Sequence, residues 1–578
     1  MNVLDYLIIV AYFVLVIGLG FWYRKRASEN LHSYFLGDNK IHWLVLAMSG
    51  SVSTFDITGT MWIVSLLFVI GMKSMWVHWM WGFMLGAFCL SFMGKWVRRS
   101  NAMTGAEWMV TRFGNTAAGA AARTAYALMA VITQAAFIGY AFQGIGKFSS
   151  VYLSLPPNLC AVIIIGITTL YVLLGGLFSV VITDVIQTVI LTMAGIVIAS
   201  LAYSHVNPEH LAQLLPTDWN SIAPVWRIEY VQETASAEYE WFGLLLIAWV
   251  AKGLFLNAGG PAQMYDFQRF LSARNERDAA MIGASWSFFL VIRWAMAMGI
   301  TLLAFQIAED IRDPEQVMPI VLQEYLPVGL KGIVIAGLLA AFMSTFSSTA
   351  NSAASYIVRD FWQPFFKPDA DDRSLIRARY VATAAVVVAG ILIGVQAGSI
   401  TQIFNWLMMA LGAAVVVPNV LRWYWWRLNG WGYAIGSLAG IALSLIPLFL
   451  PDTPMYVSFP VISLGSFVVC LLASYVTDPV EQNTLIAFYQ KVRPFGLWAP
   501  VSRLLKSEQE TSSNDAYESP YYALFNTCVG MIAIAGLYLA PMYLVGHWHG
   551  RALMYFAVAS AAVGVLYFTW YRYLPQDD

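Results

Sequence analysis

The chain has 578 residues, of which 59% are hydrophobic and only 11% are charged. Its 32 basic residues nearly balance its 33 acidic residues, so the formal net charge is −1. This composition excludes a disordered chain and a basic nucleic-acid-binding protein. Apolar runs of about 20 residues, the length that spans a bilayer as a helix, recur along the chain. The sequence therefore predicts an all-α polytopic protein in the lipid bilayer of the cell (inner) membrane.

About fifteen membrane-spanning helices are predicted, and the first of them sets the orientation. It covers about residues 3–22 and is followed at once by Arg24, Lys25 and Arg26. The positive-inside rule then places the N-terminus outside, and the odd number of spans places the C-terminus inside. The predicted segments are an extra N-terminal helix with a cytoplasmic loop (1–40), a first five-helix repeat (41–203), an external loop (204–238), a second five-helix repeat (239–424), two additional helices (425–476), a cytoplasmic loop (477–518) and two C-terminal helices (519–578).

Two of these spans contain residues that interrupt helical hydrogen bonding. The second span holds the run 49–54 (Ser-Gly-Ser-Val-Ser-Thr), and the seventh holds the run 257–261 (Asn-Ala-Gly-Gly-Pro). Broken backbone at mid-membrane depth is tolerated where it lines a cavity or is buried in protein. Each interrupted span opens a set of five, which indicates an inverted repeat and the binding site of a secondary transporter. The alternative is that small residues only permit close helix packing.

The ninth span carries hydroxyl groups on one helical face. Ala341, Ser344, Thr345 and Ser348 recur with the spacing i, i+3, i+4, i+7. Hydroxyl and carbonyl oxygens are neutral, hard ligands that suit a small alkali cation, whereas a transition metal would prefer His or Cys. The alternative is that these hydroxyls bond to carbonyls of their own helix.

Several further motifs occur in a fixed order over about residues 1–480. They are Thr104-Gly-Ala-Glu107 with Arg112-Phe113-Gly114, Gly175-Gly176 with Thr183-Asp184-Val-Ile-Gln187, Gln268-Arg269, Asp313-Pro314 with Leu326-Pro327-Val-Gly329-Leu330, and Ala341-Phe-Met-Ser344-Thr345 with Ser347-Ser348. In this order and spacing they resemble the sodium/solute symporter family, which includes bacterial proline, sialic acid and galactose symporters and the animal sodium–glucose cotransporters. The resemblance implies a leucine-transporter-like 5+5 inverted repeat and sodium-coupled symport by alternating access.

The resemblance also implies one or two bound sodium ions. The main site would use the carbonyls of Ser49, Val52 and Ala341 and the hydroxyls of Ser344 and Thr345. A second site, which some family members have, would use Asp184, Ser344, Ser347 and Ser348. Asp184 is a lone carboxylate in an apolar helix, and such groups are costly unless they are paired or functional. The alternative is a structural Asp184 that bonds to neighbouring hydroxyls.

In the same fold the substrate lies between the two broken helices. The residues expected to line this pocket are Ser53, Asp56, His78, Asn257, Gly260, Arg293 and Asn405, with Lys252, Trp79 and Gln263 as further candidates. An Asp56–Arg293 pair is one interpretation of the two charges. An unpaired Arg293 or Lys252 would instead favour a substrate carboxylate. The expected substrate is a small polar organic solute, such as a sugar, a sugar acid or an amino-acid-like compound.

Two other functions compete with sodium symport. One is a proton-coupled carrier with Asp56, Asp184 or His78 as the proton relay. The other is a sensor built on the transporter fold, although the loop 477–518 is too short for a signalling domain. No P-loop pattern and no cluster of catalytic residues occur in the sequence, so we expect no use of ATP and no enzymatic activity. We also expect no nucleic-acid partner, because the net charge is close to zero, and a monomer.

Overall fold

The computed structural model describes residues 1–27, 36–80, 84–174, 177–232, 236–260, 264–450, 453–505 and 519–575. Within these ranges the chain is helical and has no β-strand, only an isolated β-bridge between Trp425 and Leu497. Eleven helices there are long and apolar enough to cross a membrane, and shorter apolar helices accompany them. The predicted all-α class with many membrane spans is therefore confirmed.

The helices are numbered here in chain order, and shorter helical turns lie between several of them. The first group comprises α1 (Val3–Ala27), α2 (Trp43–Thr54), α3 (Ile57–Ile70), α4 (Gly94–Arg99), α5 (Glu107–Phe113), α6 (Ala117–Leu153), α7 (Pro157–Leu174) and α8 (Leu177–His205). The second group comprises α9 (Phe242–Ala258), α10 (Met264–Leu271), α11 (Glu276–Phe289), α12 (Val291–Ala304), α13 (Leu330–Ser355), α14 (Asp372–Gln396), α15 (Ile400–Asn405) and α16 (Gly412–Tyr424). The remaining helices are α17 (Gly430–Leu443), α18 (Met455–Val476), α19 (Gln482–Val492), α20 (Ala499–Leu505), α21 (Pro520–Val545) and α22 (His549–Thr569).

The second predicted span is broken, although not within the run 49–54. That run is the helical end of α2, and the break lies just after it, at Phe55 and Asp56. The Phe55 N–H bonds to the carbonyls of Ser51 and Val52, and Asp56 begins α3 by accepting the Gly59 N–H at 2.8 Å. An aspartate that caps a helix start in this way satisfies a backbone donor that would otherwise be unpaired.

The seventh predicted span is broken where its glycines stand. Helix α9 ends at Ala258, and Gly260 has a φ of +104°, a conformation that side chains other than glycine rarely adopt. Residues 261–263 lie outside the described residues, and α10 resumes the chain at Met264. Both interruptions predicted from sequence are therefore present.

Close packing brings α2 against α8, α11 and α13, which places the first break deep in the bundle. At Gly50 a Cβ atom would overlap the Trp286 ring of α11, so a glycine is needed for α2 to approach α11 this closely. Helix α13 in turn packs on α8 and α6, and the C-terminal helices α21 and α22 pack on each other. The arrangement joins the first break, the acid-bearing α8 and the hydroxyl face of α13.

The predicted cytoplasmic loop 477–518 is partly helical, because α19 and α20 lie within it. The Trp498 ring stacks on Phe488 at 5.6 Å between centroids, and its indole N–H donates to the Trp423 carbonyl at 2.8 Å. The buried guanidinium of Arg112 lies 4.8 Å from the Trp498 ring and donates to the Arg422 carbonyl at 2.9 Å. This segment is therefore packed onto the ends of α5 and α16.

Candidate functional site

A buried cluster of oxygen atoms lies where α2, α8 and α13 meet. The carboxylate of Asp184 accepts a hydrogen bond from the Ser49 hydroxyl at 2.5 Å and another from the Ser344 hydroxyl at 2.6 Å. All three side chains are almost completely buried. One carboxylate thus connects the first broken helix to the hydroxyl face of α13, across segments more than a hundred residues apart in sequence.

A guanidinium group from the second broken span enters the same cluster. Arg269 of α10 is 1% exposed and donates to the Ser53 hydroxyl at 2.7 Å and to the Ser348 hydroxyl at 2.9 Å. Its Nε lies 3.3 Å from the Ser49 hydroxyl, and a terminal nitrogen lies 3.7 Å from Asp184 Oδ2. The sequence motif contained Arg269 but did not indicate that its charge lies among the predicted sodium ligands.

The predicted main-site residues converge at the end of α2. The Thr345 hydroxyl donates to the Ser53 carbonyl at 2.7 Å and lies 3.2 Å from the Ala341 carbonyl of its own helix. The Ser49 carbonyl accepts from the Ser53 hydroxyl at 2.8 Å, and the Val52 carbonyl accepts from the Phe55 N–H at 3.1 Å. In this conformation the predicted sodium ligands form hydrogen bonds with other groups of the protein.

The four residues of the predicted second site are not equivalent. Asp184 and Ser344 are in direct contact, and Ser348 joins them through the Ser53 hydroxyl at 3.1 Å. Ser347 instead donates to the carbonyl of Ser344 at 3.0 Å. This is a bond within one helix, the alternative to sodium binding that the sequence left open. These positions offer one carboxylate and several hydroxyls, a hard, oxygen-only donor set that fits an alkali cation.

The predicted Asp56–Arg293 pair is present, so the interpretation with an unpaired Arg293 is wrong. The guanidinium nitrogen lies 3.2 Å from Asp56 Oδ1, and both residues are buried. Arg293 also donates to the Thr54 carbonyl at 2.5 Å and to the Thr60 hydroxyl at 3.1 Å. A Cβ atom at Gly59 would collide with the Asp56 carboxylate. Helix α12 therefore fixes the break between α2 and α3 through this arginine.

His78 lies beside this pair in an aromatic enclosure. It is fully buried, and its ring lies 4.8 Å from that of Trp62 and 5.6 Å from that of Trp294. Trp62 also packs against Phe404, with the ring centroids 4.2 Å apart and the rings tilted by 35°. Neither ring nitrogen of His78 has a hydrogen-bond partner among the described residues. A buried imidazole usually has such a partner, so His78 offers a polar contact to a bound solute.

Lys252 and Asn257 lie on α9, the first half of the second broken helix. The Lys252 ammonium lies 4.5 Å from the centre of the Trp249 ring and 3.7 Å from the Met408 sulfur. The Asn257 amide donates to the Gly253 carbonyl at 2.8 Å, while its oxygen has no partner in the described part of the chain. Both polar heads are buried within the bundle rather than extended to its surface.

Asn405 points to the external loop, an interaction that the sequence did not indicate. Its amide donates to the Glu238 carboxylate at 2.7 Å. Although Glu238 is exposed, desolvation of its carboxyl group by the surrounding protein raises its pKa to about 7, and the charge of Glu315 adds to the effect. Glu238 precedes the buried Tyr239, and its hydrogen bond with Asn405 connects this loop to the end of α15. The sequence feature that could have indicated this contact is the acidic residue Glu238, which stands immediately before a predicted span.

Of the three further candidates, two lie against other tryptophan side chains and one falls outside the described residues. Trp79 packs its ring on Trp76 at 5.2 Å. A Cβ atom at Gly260 would lie 3.4 Å from Trp423 Nε1, a group that donates to the Gly259 carbonyl at 2.9 Å. Gly260 thus faces the end of α16. Gln263 falls outside the described residues.

Comparisons with known proteins agree with this architecture. A family model described as the sodium:solute symporter family matches residues 34–440. The chain is 22% identical over 515 residues to the osmoregulated proline transporter OpuE of Bacillus subtilis, covering 86% of this chain and 98% of that protein. It is 26% identical over 490 residues to the sodium/mannose cotransporter SLC5A10 of Bos taurus, covering 78% and 79% of the two chains.

A solved structure shares the fold. It is a substrate-bound, outward-open Na+-coupled sialic acid symporter, which superposes with a TM-score of 0.66 at 16% sequence identity. The match covers 83% of this chain and 99% of that chain.

Proposed function

Because the chain belongs to the sodium:solute symporter family, we propose that it uses the inward sodium gradient to import one small polar organic solute by alternating access. The matched residues 34–440 contain both broken helices, the hydroxyl cluster and the Asp56–Arg293 pair. The two predicted five-helix repeats and the multi-pass position in the inner membrane, with the N-terminus outside, belong to this proposal. So does a monomer that needs neither ATP nor nucleic acid.

The observation that carries the sodium assignment is the convergence of α2 and α13. The Thr345 hydroxyl lies 2.7 Å from the Ser53 carbonyl and 3.2 Å from the Ala341 carbonyl. Oxygens from two helices thus meet next to a helix break, where an alkali cation can replace hydrogen bonds with metal–oxygen contacts. The proposed ligands are the carbonyls of Ser49, Val52 and Ala341 with the hydroxyls of Ser344 and Thr345. A hydroxyl can change from donor to ligand by rotation.

We further propose that Arg269 and a second sodium ion alternate at Asp184. The guanidinium donates to the hydroxyls of Ser53 and Ser348 and lies 3.7 Å from Asp184. Two cations at this distance from one carboxylate repel each other strongly in a buried environment. Sodium entry would therefore displace Arg269, and with it α10. A cation that binds only one arrangement of a broken helix shifts the equilibrium between conformations, as coupling requires.

The solute pocket is proposed between His78, the Asp56–Arg293 pair and the packed rings of Trp62 and Phe404. His78 offers two ring nitrogens to hydroxyl or carboxyl groups, and the aromatic rings offer an apolar face. This combination suits a sugar, a sugar acid or an amino-acid-like solute. Ser53, Asn257, Gly260, Asn405, Lys252, Trp79 and Gln263 complete the proposed set.

Uptake into proteoliposomes tests the proposed coupling. Radiolabelled sugars, sugar acids and amino acids are supplied with an inward sodium gradient, with potassium, or with an inward proton gradient. We expect one solute class to accumulate only with sodium. Accumulation driven by protons without sodium would replace this proposal with a proton-coupled carrier, in which Asp56, Asp184 or His78 relays the proton.

A paired substitution tests the main sodium site. Ser344→Ala with Thr345→Ala removes two ligands, and we expect the sodium concentration for half-maximal uptake to rise at least about tenfold. Ser355→Ala is the matched control, because that hydroxyl lies on the same helix and bonds to the Ser352 carbonyl at 2.7 Å. Sodium dependence equal to that of the control would contradict the assignment.

A further inference from the structure

Helix α1 lies before residue 34, where the match to the family model begins, and it packs on α8 and α13. These two helices carry Asp184 and Ser344, which belong to the proposed second sodium site. Several apolar side chains of α1 are exposed, whereas Asp5 and Tyr12 are 0% and 7% exposed. A buried carboxylate in an apolar helix is costly unless it is paired or functional. The partners of Asp5 and Tyr12 therefore indicate what α1 does in this fold.

The carboxylate of Asp5 caps the start of α13. Its Oδ1 accepts the Gly329 N–H at 2.8 Å and the Gly332 N–H at 3.0 Å, while its Oδ2 accepts the Asn2 N–H at 3.0 Å. The first N–H groups of a helix have no partner within that helix, and negative charge is favourable there. A Cβ atom at Gly332 would lie 2.7 Å from the Asp5 Cα, so glycine is needed for this close approach. The start of α13 is thereby fixed to α1.

A second polar contact connects α1 to α8. The Gln187 amide donates to the Tyr12 hydroxyl at 3.1 Å, and both side chains are buried. Gln187 lies three residues after Asp184, so the two side chains are neighbours on the surface of α8. On the other helix, the capped end of α13 lies about 18 Å along the helix axis from Ser344. One helix therefore contacts both of the helices whose side chains meet in the Asp184–Ser344 hydrogen bond.

We propose that α1 positions Asp184 and Ser344 for the second sodium ion, with Asp5 and Tyr12 as the positioning residues. This inference rests on the proposed sodium symport. An ion site whose ligands come from two helices binds more weakly when the spacing of those helices varies, because the ion must then also order its ligands. Contacts from one continuous helix to both α8 and α13 restrict this spacing. Groups that support metal ligands in this way typically change metal affinity by about 10- to 100-fold.

The test uses sodium alone as the probe. Tryptophan fluorescence of the purified full-length protein is titrated with sodium chloride against potassium chloride. Asp5→Ala removes the cap, and we expect the sodium concentration for half-saturation to rise about tenfold. The Hill coefficient for sodium should fall, because only one of the two proposed ions is affected. Asp5→Asn keeps an oxygen that can accept both N–H groups of α13, so this variant should recover most of the sodium affinity.

A milder variant tests the other contact. Tyr12→Phe removes only the hydroxyl that accepts from Gln187, and we expect the sodium concentration for half-saturation to rise about threefold, as the loss of one hydrogen bond predicts. Tyr6→Phe is the matched control, because Tyr6 also lies on α1 but donates to the Tyr152 carbonyl of α6 at 3.2 Å. This control should bind sodium like the wild type. If Asp5→Ala does not fold, Tyr12→Phe decides the question.

The melting temperature in potassium chloride separates positioning from a purely structural role. A structural cap would lower this temperature in Asp5→Ala and leave the half-saturating sodium concentration unchanged, which would overturn the inference. An increase of equal size in Tyr12→Phe and Tyr6→Phe would overturn it as well. A wild type that responds identically to sodium and potassium would overturn the proposed symport together with this inference, whereas a sodium-specific wild type with unshifted variants would overturn the inference alone.

Discussion

Asp56–Arg293 and Asp184–Arg269 are two aspartate–arginine pairs in which both residues are buried, and they are held in different ways. Arg293 reaches Asp56 at 3.2 Å and also donates to two backbone carbonyls, those of Thr54 and Asp56. Asp56 itself accepts the Gly59 N–H as the cap of α3. Arg269 lies 3.7 Å from Asp184 and donates to the side-chain hydroxyls of Ser49, Ser53 and Ser348.

The difference separates a fixed pair from an exchangeable one. A guanidinium that satisfies backbone carbonyls at a helix break cannot leave without exposing unpaired groups in a buried environment. Hydroxyl groups can rotate and accept a different partner, so the hydroxyls of Ser49, Ser53 and Ser348 remain satisfied when a metal ion replaces the guanidinium. We therefore interpret Asp56–Arg293 as the pair that maintains the break and Asp184–Arg269 as the pair that changes during transport.

The largest expected effect comes from breaking the fixed pair. Arg293→Gln leaves the Asp56 carboxylate buried without its cation, and removal of one partner of a buried ion pair costs about 3–5 kcal/mol. We expect a large fall in the melting temperature of the purified protein. The double variant Asp56→Asn/Arg293→Gln should recover part of this loss, because no uncompensated charge remains. A single variant as stable as the wild type would show that the pair does not maintain the break.

A smaller effect, on ion binding, is expected from the exchangeable pair. Arg269→Gln removes the competing cation from the hydroxyl cluster, so the sodium concentration for half-saturation should fall about tenfold, within the usual range of coupling between two sites. Titration of tryptophan fluorescence with sodium chloride against potassium chloride measures this change. Arg269→Lys keeps the charge and is the matched control. Weaker sodium binding in Arg269→Gln would mean that the arginine supports the ion site instead.

Local sequence signals predicted the parts of the site that depend on local backbone chemistry. Glycine and proline in the run 257–261 predicted the second break, and small hydroxyl residues predicted the first to within two residues. The Asp56–Arg293 pair was also accessible, because charged residues in apolar spans are few and must find partners there. These inferences need only helix propensity and the cost of buried charge.

The sequence did not predict contacts that depend on distant packing. Arg269 meets Ser49 across 220 residues of sequence, and Asn405 meets Glu238 across 167. Such partners are selected by how the helices pack, which no local pattern encodes.

Glu238 differs from the two arginine-paired aspartates, because its described hydrogen-bond partner is the amide of Asn405 and not a guanidinium. Its pKa is raised to about 7 from the ordinary 4.5 mainly by desolvation, so the folded protein binds more protons than the unfolded chain between these values. The contribution of Glu238 to the free energy of unfolding should therefore fall as the pH rises from about 4.5 to 7. Glu238 is nevertheless exposed at the surface, so solvent screening makes the effect on the free energy of unfolding small.

Glu238→Gln removes the titrating group and keeps an oxygen that can accept from Asn405. We expect the melting temperature of the wild type to fall by about 1–2 °C relative to Glu238→Gln between pH 5 and 8, because only the wild type acquires an uncompensated carboxylate there. Glu240→Gln is the matched control, since Glu240 lies two residues away and has Arg227 as its partner at 2.5 Å. If wild type and Glu238→Gln show the same pH profile, the carboxylate is compensated by other groups, and the contrast with the two arginine-paired aspartates does not extend to the external loop.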